Sequence, residues 1–345
     1  MNGAPDNHNR VIASWLLVCC ALVFAMVVLG GVTRLTGSGL SIVDWKPIMG
    51  VLPPLTDADW QEKYELYQQS PEFRNINSHM DVHDFKGIFW LEYLHRLLGR
   101  TIGLVFALPF AFFVARGYIS WRESPKYLVM FVLGGLQGLL GWYMVKSGLV
   151  DVPRVSQYRL TAHLGLAFTV YAYMLWVAMS LLMPPDHRDN RPWFRWAIAL
   201  FSVICITIAS GGFVAGLRAG LIFNTFPTMG GSWIPQGIFA LEPWWRNFFD
   251  NMTTVQFDHR WLAKTTLLFI VVFWLRARKA DLPALAVTAS QLLLGLAILQ
   301  VTLGITTLLM RVPVWLGASH QGVAMLLFTA ALLLVHSLRA GGKSK

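Results

Sequence analysis

The chain has 345 residues, of which 55% are hydrophobic and 13% are charged, and its mean hydropathy is +0.52. This balance excludes an ordinary water-soluble protein, in which about 25% of the residues are charged. The net charge of +10 does not indicate a nucleic-acid partner, because the basic residues form neither a run nor a single patch.

Eight apolar runs follow one another along the chain, and each is long enough to cross a bilayer as a helix, which takes about 20 residues. In lipid the backbone has no other hydrogen-bond partner, so each run is predicted to be helical. The predicted helices cover residues 11–32, 88–115, 127–146, 160–183, 194–216, 256–275, 283–309 and 315–338. The sequence therefore predicts an all-α integral membrane protein with eight transmembrane helices.

The basic residues between these runs indicate the orientation. With the N-terminus inside, the inner side carries thirteen of them: Arg10, Arg116, Arg122, Lys126, Arg188, Arg191, Arg195, Arg276, Arg278, Lys279, Arg339, Lys343 and Lys345. The short outer loops carry four: Lys146, Arg154, Arg159 and Arg311. Because cytoplasmic loops carry the excess of Lys and Arg, we expect an N-in, C-in topology. The first run lacks a signal-peptide cleavage site and no transit peptide precedes it, which favours a bacterial plasma (inner) membrane.

The two halves of the chain resemble each other, and we place their boundary so that they cover residues 1–187 and 188–345. The matching segments are, in pairs, Gly30-Gly31 and Gly211-Gly212, residues 92–96 and 256–260, and Leu136-Gln137 and Leu299-Gln300. Each half has an even number of helices, so the two four-helix bundles are expected to lie parallel, as pseudo-repeats about an axis along the membrane normal.

Long outer segments, residues 33–87 and 217–255, follow the first helix of each half. Segments of this length in a compact protein are usually functional. Their aromatic residues are expected to form packed or interfacial caps. These residues are Trp45, Trp60, Tyr64, Tyr67 and Phe73 in the first segment, and Trp233, Trp244, Trp245, Phe248 and Phe249 in the second.

Four of the nine histidines lie near the outer ends of predicted helices two, four, six and eight: His95, His163, His259 and His320. Ionisable residues within membrane spans are costly and are candidates for function. Histidine is a common axial ligand of haem iron, so one pair in each half predicts two haem sites. The residues one helical turn later are all small, which suits a flat ring beside the helix: Gly99, Ala167, Ala263 and Ala324.

A zinc or copper site is the alternative interpretation, but the histidines of each pair are 68 and 61 residues apart on separate predicted helices, and no cysteine accompanies them. Haem propionates need cations near the outer surface, and four are in the same helices: Arg96, Arg100, Arg260 and Lys264. The alternative for Arg96 and Arg260 is that they extend to the membrane interface.

The first half has Glu92 three residues before its first histidine, where the second half has Gln256. A carboxylate beside a macrocycle can exchange protons and a glutamine cannot, which favours chemistry at the first site; an ion pair with Arg96 or Arg100 is the alternative. His79 and His83 are interpreted as a helix cap or a metal site. His8, His187 and His336 are expected in solvent or at the interface.

The chain resembles the haem A synthase family in its long-loop form, found in proteobacteria and mitochondria. The resemblance covers nearly the whole chain. It is carried by the four histidines and by GGVTRLTGSGLSI at 30–42, DWKPIMGVLPP at 44–54, SPEFRNINSHMDVHDFK at 70–86 and EYLHRLLGR at 92–100. Some members have a cysteine pair in the first outer loop, and this chain has none there.

The resemblance implies an enzyme that oxidises the C8 methyl group of haem O to the formyl group of haem A for terminal oxidase assembly. It also implies that His95 and His163 hold haem O, that His259 and His320 ligate a haem b cofactor, and that Glu92 is catalytic. Haem O synthase and an unidentified electron-transfer protein are the expected partners, and a homo-oligomer is left open. Two other functions stay open: a bis-histidine cytochrome b that transfers electrons, and a haem transporter or chaperone.

Overall fold

The computed structural model describes residues 7–44, 51–148, 155–183 and 190–339. Within these ranges the chain is helical and contains no β-strand. The helices are α1 (Asn7–Leu35), α2 (Asp57–Gln68), α3 (Val82–Ala115), α4 (Ser124–Gly148), α5 (Gln157–Leu182), α6 (Arg191–Leu217), α7 (Asn247–Asp250), α8 (Met252–Ala277), α9 (Ala284–Leu309) and α10 (Val314–Ser337). Some residues named above lie outside the described ranges: Trp45, Arg154, His187, Arg188, Lys343 and Lys345.

All eight predicted apolar runs are helices, namely α1, α3, α4, α5, α6, α8, α9 and α10. Among the described helices, seven are long and apolar enough to cross a membrane by length and composition. The eighth, α8, is 26 residues long but carries Asp258, Arg260 and Lys264 in its first half. The chain is thus an all-helical membrane protein with seven candidate spans.

Helix α3 begins six residues earlier than predicted, at Val82 instead of residue 88. Asp81 caps it: its side chain accepts a hydrogen bond of 2.9 Å from the backbone N–H of Asp84, which satisfies a group that the helix leaves unpaired. The described residues contain no group of three or more potential metal ligands. The cap of this helix is therefore Asp81, which lies between His79 and His83, and a metal site at these two histidines stays a prediction.

Helices α1, α5, α6 and α10 form the centre of the described structure. Helix α1 packs against α3, α5 and α10, α6 packs against α5, α8 and α10, and α9 packs against α8 and α10. One apolar core is built from α1, α3, α4 and α5, and a second from α6, α8 and α9. Helix α10 belongs to both, since Met325 and Phe328 pack in the first core and Leu327 and Ala330 in the second.

Two glycine pairs lie at helix crossings between the halves. Gly31 of α1 lies against the side chain of Gln321 in α10, whose amide donates a 2.8 Å hydrogen bond to the carbonyl of Val27. Gly212 of α6 lies against Thr161 of α5, where an added Cβ would be 2.8 Å from Oγ1. Small residues allow this approach. We call these contacts the two glycine crossings.

The outer segments differ in how they pack. In the first, Trp60, Tyr64 and Tyr67 are buried and form an aromatic cluster with Phe85 and Phe89 of α3. In the second, the tryptophans are exposed, with exposed fractions of 63% for Trp233, 63% for Trp244 and 51% for Trp245. The first cap is therefore packed, as one of the two expectations had it, and the second presents its aromatic rings at the surface.

His336 corrects a sequence-based expectation, because it is 3% exposed and not in solvent. Its ring stands edge-on to Trp176 of α5 with a centroid separation of 4.9 Å. Its Nε2 lies 3.2 Å from the hydroxyl of Ser180 and contacts the guanidinium of Arg339. A position near a helix end looks interfacial in the sequence, but here a neighbouring helix and the following arginine cover it.

Candidate functional site

The four predicted histidines lie on four different helices and form two pairs. His95 of α3 lies close enough to His163 of α5 for their charges to interact, and the same holds for His259 of α8 and His320 of α10. All four rings are partly buried. The structure therefore brings together the two pairs that the sequence predicted.

Each histidine ring lies against a glycine of a neighbouring helix. A Cβ added to that glycine would meet the ring at 2.9–3.2 Å, closer than an ordinary van der Waals contact. The pairs and their separations are Gly30 with His95 at 3.2 Å, Gly141 with His163 at 3.0 Å, Gly211 with His259 at 3.2 Å, and Gly304 with His320 at 2.9 Å. A larger residue at any of these positions would displace the imidazole.

A glutamine contacts the second histidine of each pair. The amide nitrogen of Gln137 lies 3.3 Å from Nε2 of His163, and that of Gln300 lies 3.3 Å from Nε2 of His320. An amide nitrogen only donates, so Nε2 accepts and carries a lone pair in both rings. The amide oxygens of both glutamines are buried without a hydrogen-bond partner among the described residues.

Glu92 is buried, with 2% of its surface exposed, and both carboxylate oxygens have partners. Oε2 accepts from the Ser41 hydroxyl at 2.7 Å and from the Ile42 backbone N–H at 2.9 Å. Oε1 accepts from Nε and Nη2 of Arg96 at 3.0 and 2.5 Å. The ion pair considered from the sequence is therefore formed, and it fixes the carboxylate between α3 and the turn after α1.

The two matching arginines hold the two outer segments in the same way. Arg96 donates to the carbonyl of Ile42 at 3.0 Å, and Arg260 donates to the carbonyl of Phe223 at 2.8 Å. Both segments reach this contact through a left-handed residue, Gly37 with φ +71° and Arg218 with φ +55°. In both halves the arginine that follows the first histidine of the pair therefore anchors the outer segment.

Further contacts distinguish the candidate propionate ligands. Arg260 also donates to the carbonyls of Thr225 and Thr228 at 2.8 and 3.3 Å. The ammonium group of Lys264 stands 3.8 Å above the ring of Trp261. Arg100 lies one turn beyond Arg96 on α3. The contacts to carbonyls show that Arg260 anchors a loop, in addition to any contact with an acidic ligand.

Gln256 occupies the place of Glu92 in the second half with weaker contacts. Its amide donates to the Phe223 carbonyl at 3.2 Å, and its oxygen has no hydrogen-bond partner among the described residues. Arg260 therefore has only neutral acceptors in the described contacts, whereas Arg96 has a carboxylate. The predicted difference between the halves is thus also a difference in local charge.

Glu72 is a second buried carboxyl group near the first site, and the sequence reasoning missed it. It is 7% exposed and accepts a 3.2 Å hydrogen bond from the hydroxyl of Tyr67, which in turn accepts from Asn77 at 2.7 Å. Burial raises the pKa of Glu72 to about 7, and the charge of Glu92 adds to this, while Tyr67 and Arg218 oppose it. In the sequence, the aromatic residues around Glu72 were the signal that could have indicated its burial.

The arrangement fits haem in each half. In each half two histidines from different helices lie near each other, and glycines of neighbouring helices accommodate the rings. Buried atoms without a hydrogen-bond partner among the described residues, such as Nδ1 of His163, lie in the same region. Histidine imidazoles are usual ligands of haem iron.

Comparison with known proteins gives the family of the chain. The family model described as cytochrome oxidase assembly protein matches residues 13–332. The heme A synthase of Nitrosospira multiformis is 55% identical over 335 residues, which is 96% of this chain and 94% of the relative. Heme A synthase COX15 of Homo sapiens is 47% identical over 341 residues, which is 96% of this chain and 83% of the relative. This chain belongs to the haem A synthase family.

Proposed function

We propose that the chain oxidises the C8 methyl group of haem O to the formyl group of haem A. The observation that carries the proposal is the presence of two histidine pairs in a chain that matches heme A synthases over 96% of its length. A protein with a single haem site would need only one pair of histidines. Haem O is the substrate, and the product supplies a terminal oxidase.

We assign the substrate to His95 and His163 and the haem b cofactor to His259 and His320. The cofactor, when bound, supplies one-electron transfer. The assignment is supported by Glu92, a carboxylate three residues before His95, whose counterpart in the second half is the neutral Gln256. A positive charge that develops on the methyl carbon during oxidation is stabilised by a fixed carboxylate in an apolar setting.

In this proposal the four cations bind haem propionates, and the contacts that support this role differ from one to another. Arg96, Arg100, Arg260 and Lys264 all lie near the ligands along their helices. Arg96 and Arg260 already hold the outer segments, so a propionate would extend an existing network. Lys264, with its ammonium group over an aromatic ring, is the least committed of these contacts.

We propose that α8 is an eighth membrane span and that the halves, residues 1–187 and 188–345, are parallel four-helix units with both termini inside. A helix of 26 residues is about 39 Å long at 1.5 Å per residue, enough to cross a bilayer. Three of its four charged residues, Asp258, Arg260 and Lys264, lie in the half that starts at the outer segment, and the fourth, Arg276, lies in the last turn. The two matching arginine contacts and the two left-handed turns support the repeat.

In this topology the haem sites lie toward the outer face of a bacterial plasma membrane. His163, His259 and His320 are seventh or eighth in their helices, whereas His95 follows Val82 by thirteen residues because α3 extends outward beyond the predicted start. Haem O synthase would supply the substrate, and an electron-transfer protein would reoxidise or reduce the cofactor. A homo-oligomer is compatible with this arrangement.

The test is to express the chain in membranes that contain haem O and to separate the extracted haems by chromatography. Haem A that appears only with the chain supports the enzyme, whereas unchanged haem O would favour the transporter, and haem b alone the cytochrome. His259→Ala should lose haem b, and His163→Ala should retain it. Equal loss of haem b from both variants would contradict the division of roles.

Glu92→Gln separates catalysis from structure, with Ser41→Ala as the matched control. The control removes the 2.7 Å hydrogen bond to Glu92 but keeps the carboxylate. We expect Glu92→Gln to accumulate haem O or a partly oxidised product while haem b persists, and Ser41→Ala to remain active. If both variants lose haem A equally, Glu92 acts only as the partner of Arg96.

A further inference from the structure

Ser210 forms a polar contact with a candidate haem ligand that the first half does not have. It lies in α6, one residue before Gly211, the glycine against which the His259 ring packs. Its hydroxyl oxygen is 2.8 Å from Nδ1 of His259 and 2.7 Å from the carbonyl oxygen of Thr207.

The direction of these hydrogen bonds follows from the number of protons. The Ser210 hydroxyl has one hydrogen, and the Thr207 carbonyl can only accept it. The hydroxyl oxygen must therefore accept from the other side, so Nδ1 of His259 carries the proton. In this tautomer Nε2 is unprotonated and presents its lone pair for a metal.

We propose that Ser210 is a positioning residue that fixes the tautomer and orientation of His259 and increases electron donation from this imidazole to the iron of haem b. This rests on the proposed function, in which His259 is an axial ligand. A hydrogen bond from the distant ring nitrogen orients a metal-bound histidine and raises its basicity. A more basic ligand stabilises ferric over ferrous iron, so the reduction potential is lowered.

The corresponding position of the first half lacks this hydrogen bond. Leu29 precedes Gly30 there, and leucine offers no hydrogen-bond acceptor in its side chain. Among the described residues, none forms a hydrogen bond to the ring of His95. A cofactor must stay bound through many turnovers, whereas a substrate haem must leave after oxidation. The structure thus holds the ligand of the retained haem more firmly than the ligand of the exchanged one.

The experiment compares three variants of the full-length protein in detergent: Ser210→Ala, Ser210→Thr and Ser202→Ala. Thr keeps a hydroxyl at the position. Ser202 is the matched control, because its hydroxyl donates to the carbonyl of Ile198 in the same helix and contacts no histidine. The readouts are the midpoint potential of haem b by redox titration and the affinity of haem-depleted protein for added haem b.

We expect Ser210→Ala to raise the potential and to weaken haem b binding by about 10–100-fold, as for other residues that orient a metal ligand. Ser210→Thr and Ser202→Ala should resemble the parent in both measurements. An unchanged potential and affinity in Ser210→Ala would overturn the inference, and so would a loss that Ser210→Thr does not restore. His259→Ala is measured in parallel: if it retains haem b, the ligand assignment fails and the proposed function is at fault.

Discussion

Replacing Gly304 by alanine is the most direct perturbation of the proposed cofactor site. An added Cβ would lie 2.9 Å from Cε1 of His320, whereas ordinary contacts begin at 3.4 Å. The ring must therefore move by about 0.5 Å, more than the about 0.2 Å by which metal–ligand distances usually vary. We expect the affinity for haem b to fall about 10–100-fold, as when a ligand loses its orientation.

Gly295→Ala is the matched control for this change. It lies in the same helix, α9, and no atom is within 4 Å of the position that its Cβ would take. Alanine is favoured over glycine in a helix interior by about 0.5–1 kcal/mol. The control should therefore be as stable as the parent or more so, and the same helix preference acts in Gly304→Ala against the expected loss.

The assay is a titration of haem-depleted protein with haem b, followed by the absorbance of the bound cofactor. Unfolding temperatures of both variants without haem show whether the helix bundle is intact. The reasoning is refuted if Gly304→Ala binds haem b within about twofold of Gly295→Ala, because the glycine would then not set the position of the ring.

Three further predictions concern the surrounding structure. Burial raises the pKa of Glu72 from its ordinary 4.5 to about 7. Protonated Glu72 therefore contributes about 3 kcal/mol to the free energy of unfolding. This contribution is present below pH 4.5 and is lost as the pH rises through about 7. The protection factors for hydrogen exchange in the first outer segment, which correct for the intrinsic pH dependence of exchange, should fall over this range in the parent and stay constant in Glu72→Gln; parallel profiles would refute this. Gly216→Ala places a Cβ 2.5 Å from Cα of Gln157. We therefore expect the free energy of unfolding to fall by about 1–3 kcal/mol and the unfolding temperature to decrease. An unchanged unfolding temperature would mean that α5 and α6 adjust freely. Arg260→Met removes the donors to the carbonyls in residues 223–228, so proteolysis of that loop should accelerate, and an unchanged cleavage rate would exclude the anchoring role.

The helices were predictable from the sequence because hydropathy is a local property. All eight runs were found, with ends correct to within four residues except at α3. There the first turn contains His83 and Asp84, so the apolar signal begins later than the helix that Asp81 caps. The candidate spans thus follow from composition, while helix ends depend on capping groups.

The histidine pairs were predictable because the repeat places them at matching positions. Their surroundings were not, because a one-dimensional pattern does not give the rotation of one helix against another. Ser210 looks like any polar residue of an apolar helix until its hydroxyl is seen beside His259. Glu72 belongs to a loop, where the sequence does not indicate burial. The glycines opposite the histidines were visible only as part of the repeat.

The two glycine crossings have a consequence for electron transfer. Gly31 touches Gln321, the residue after His320, and its neighbour Gly30 touches His95. The second crossing does the same, since Gly212 touches Thr161 near the other ligand of the first site. Each crossing therefore connects a histidine of one site with the chain next to a histidine of the other. In the proposed function electrons pass between two haems, and the rate of electron tunnelling falls steeply with distance. Close crossings next to the ligands of both sites would therefore fix the spacing on which this rate depends.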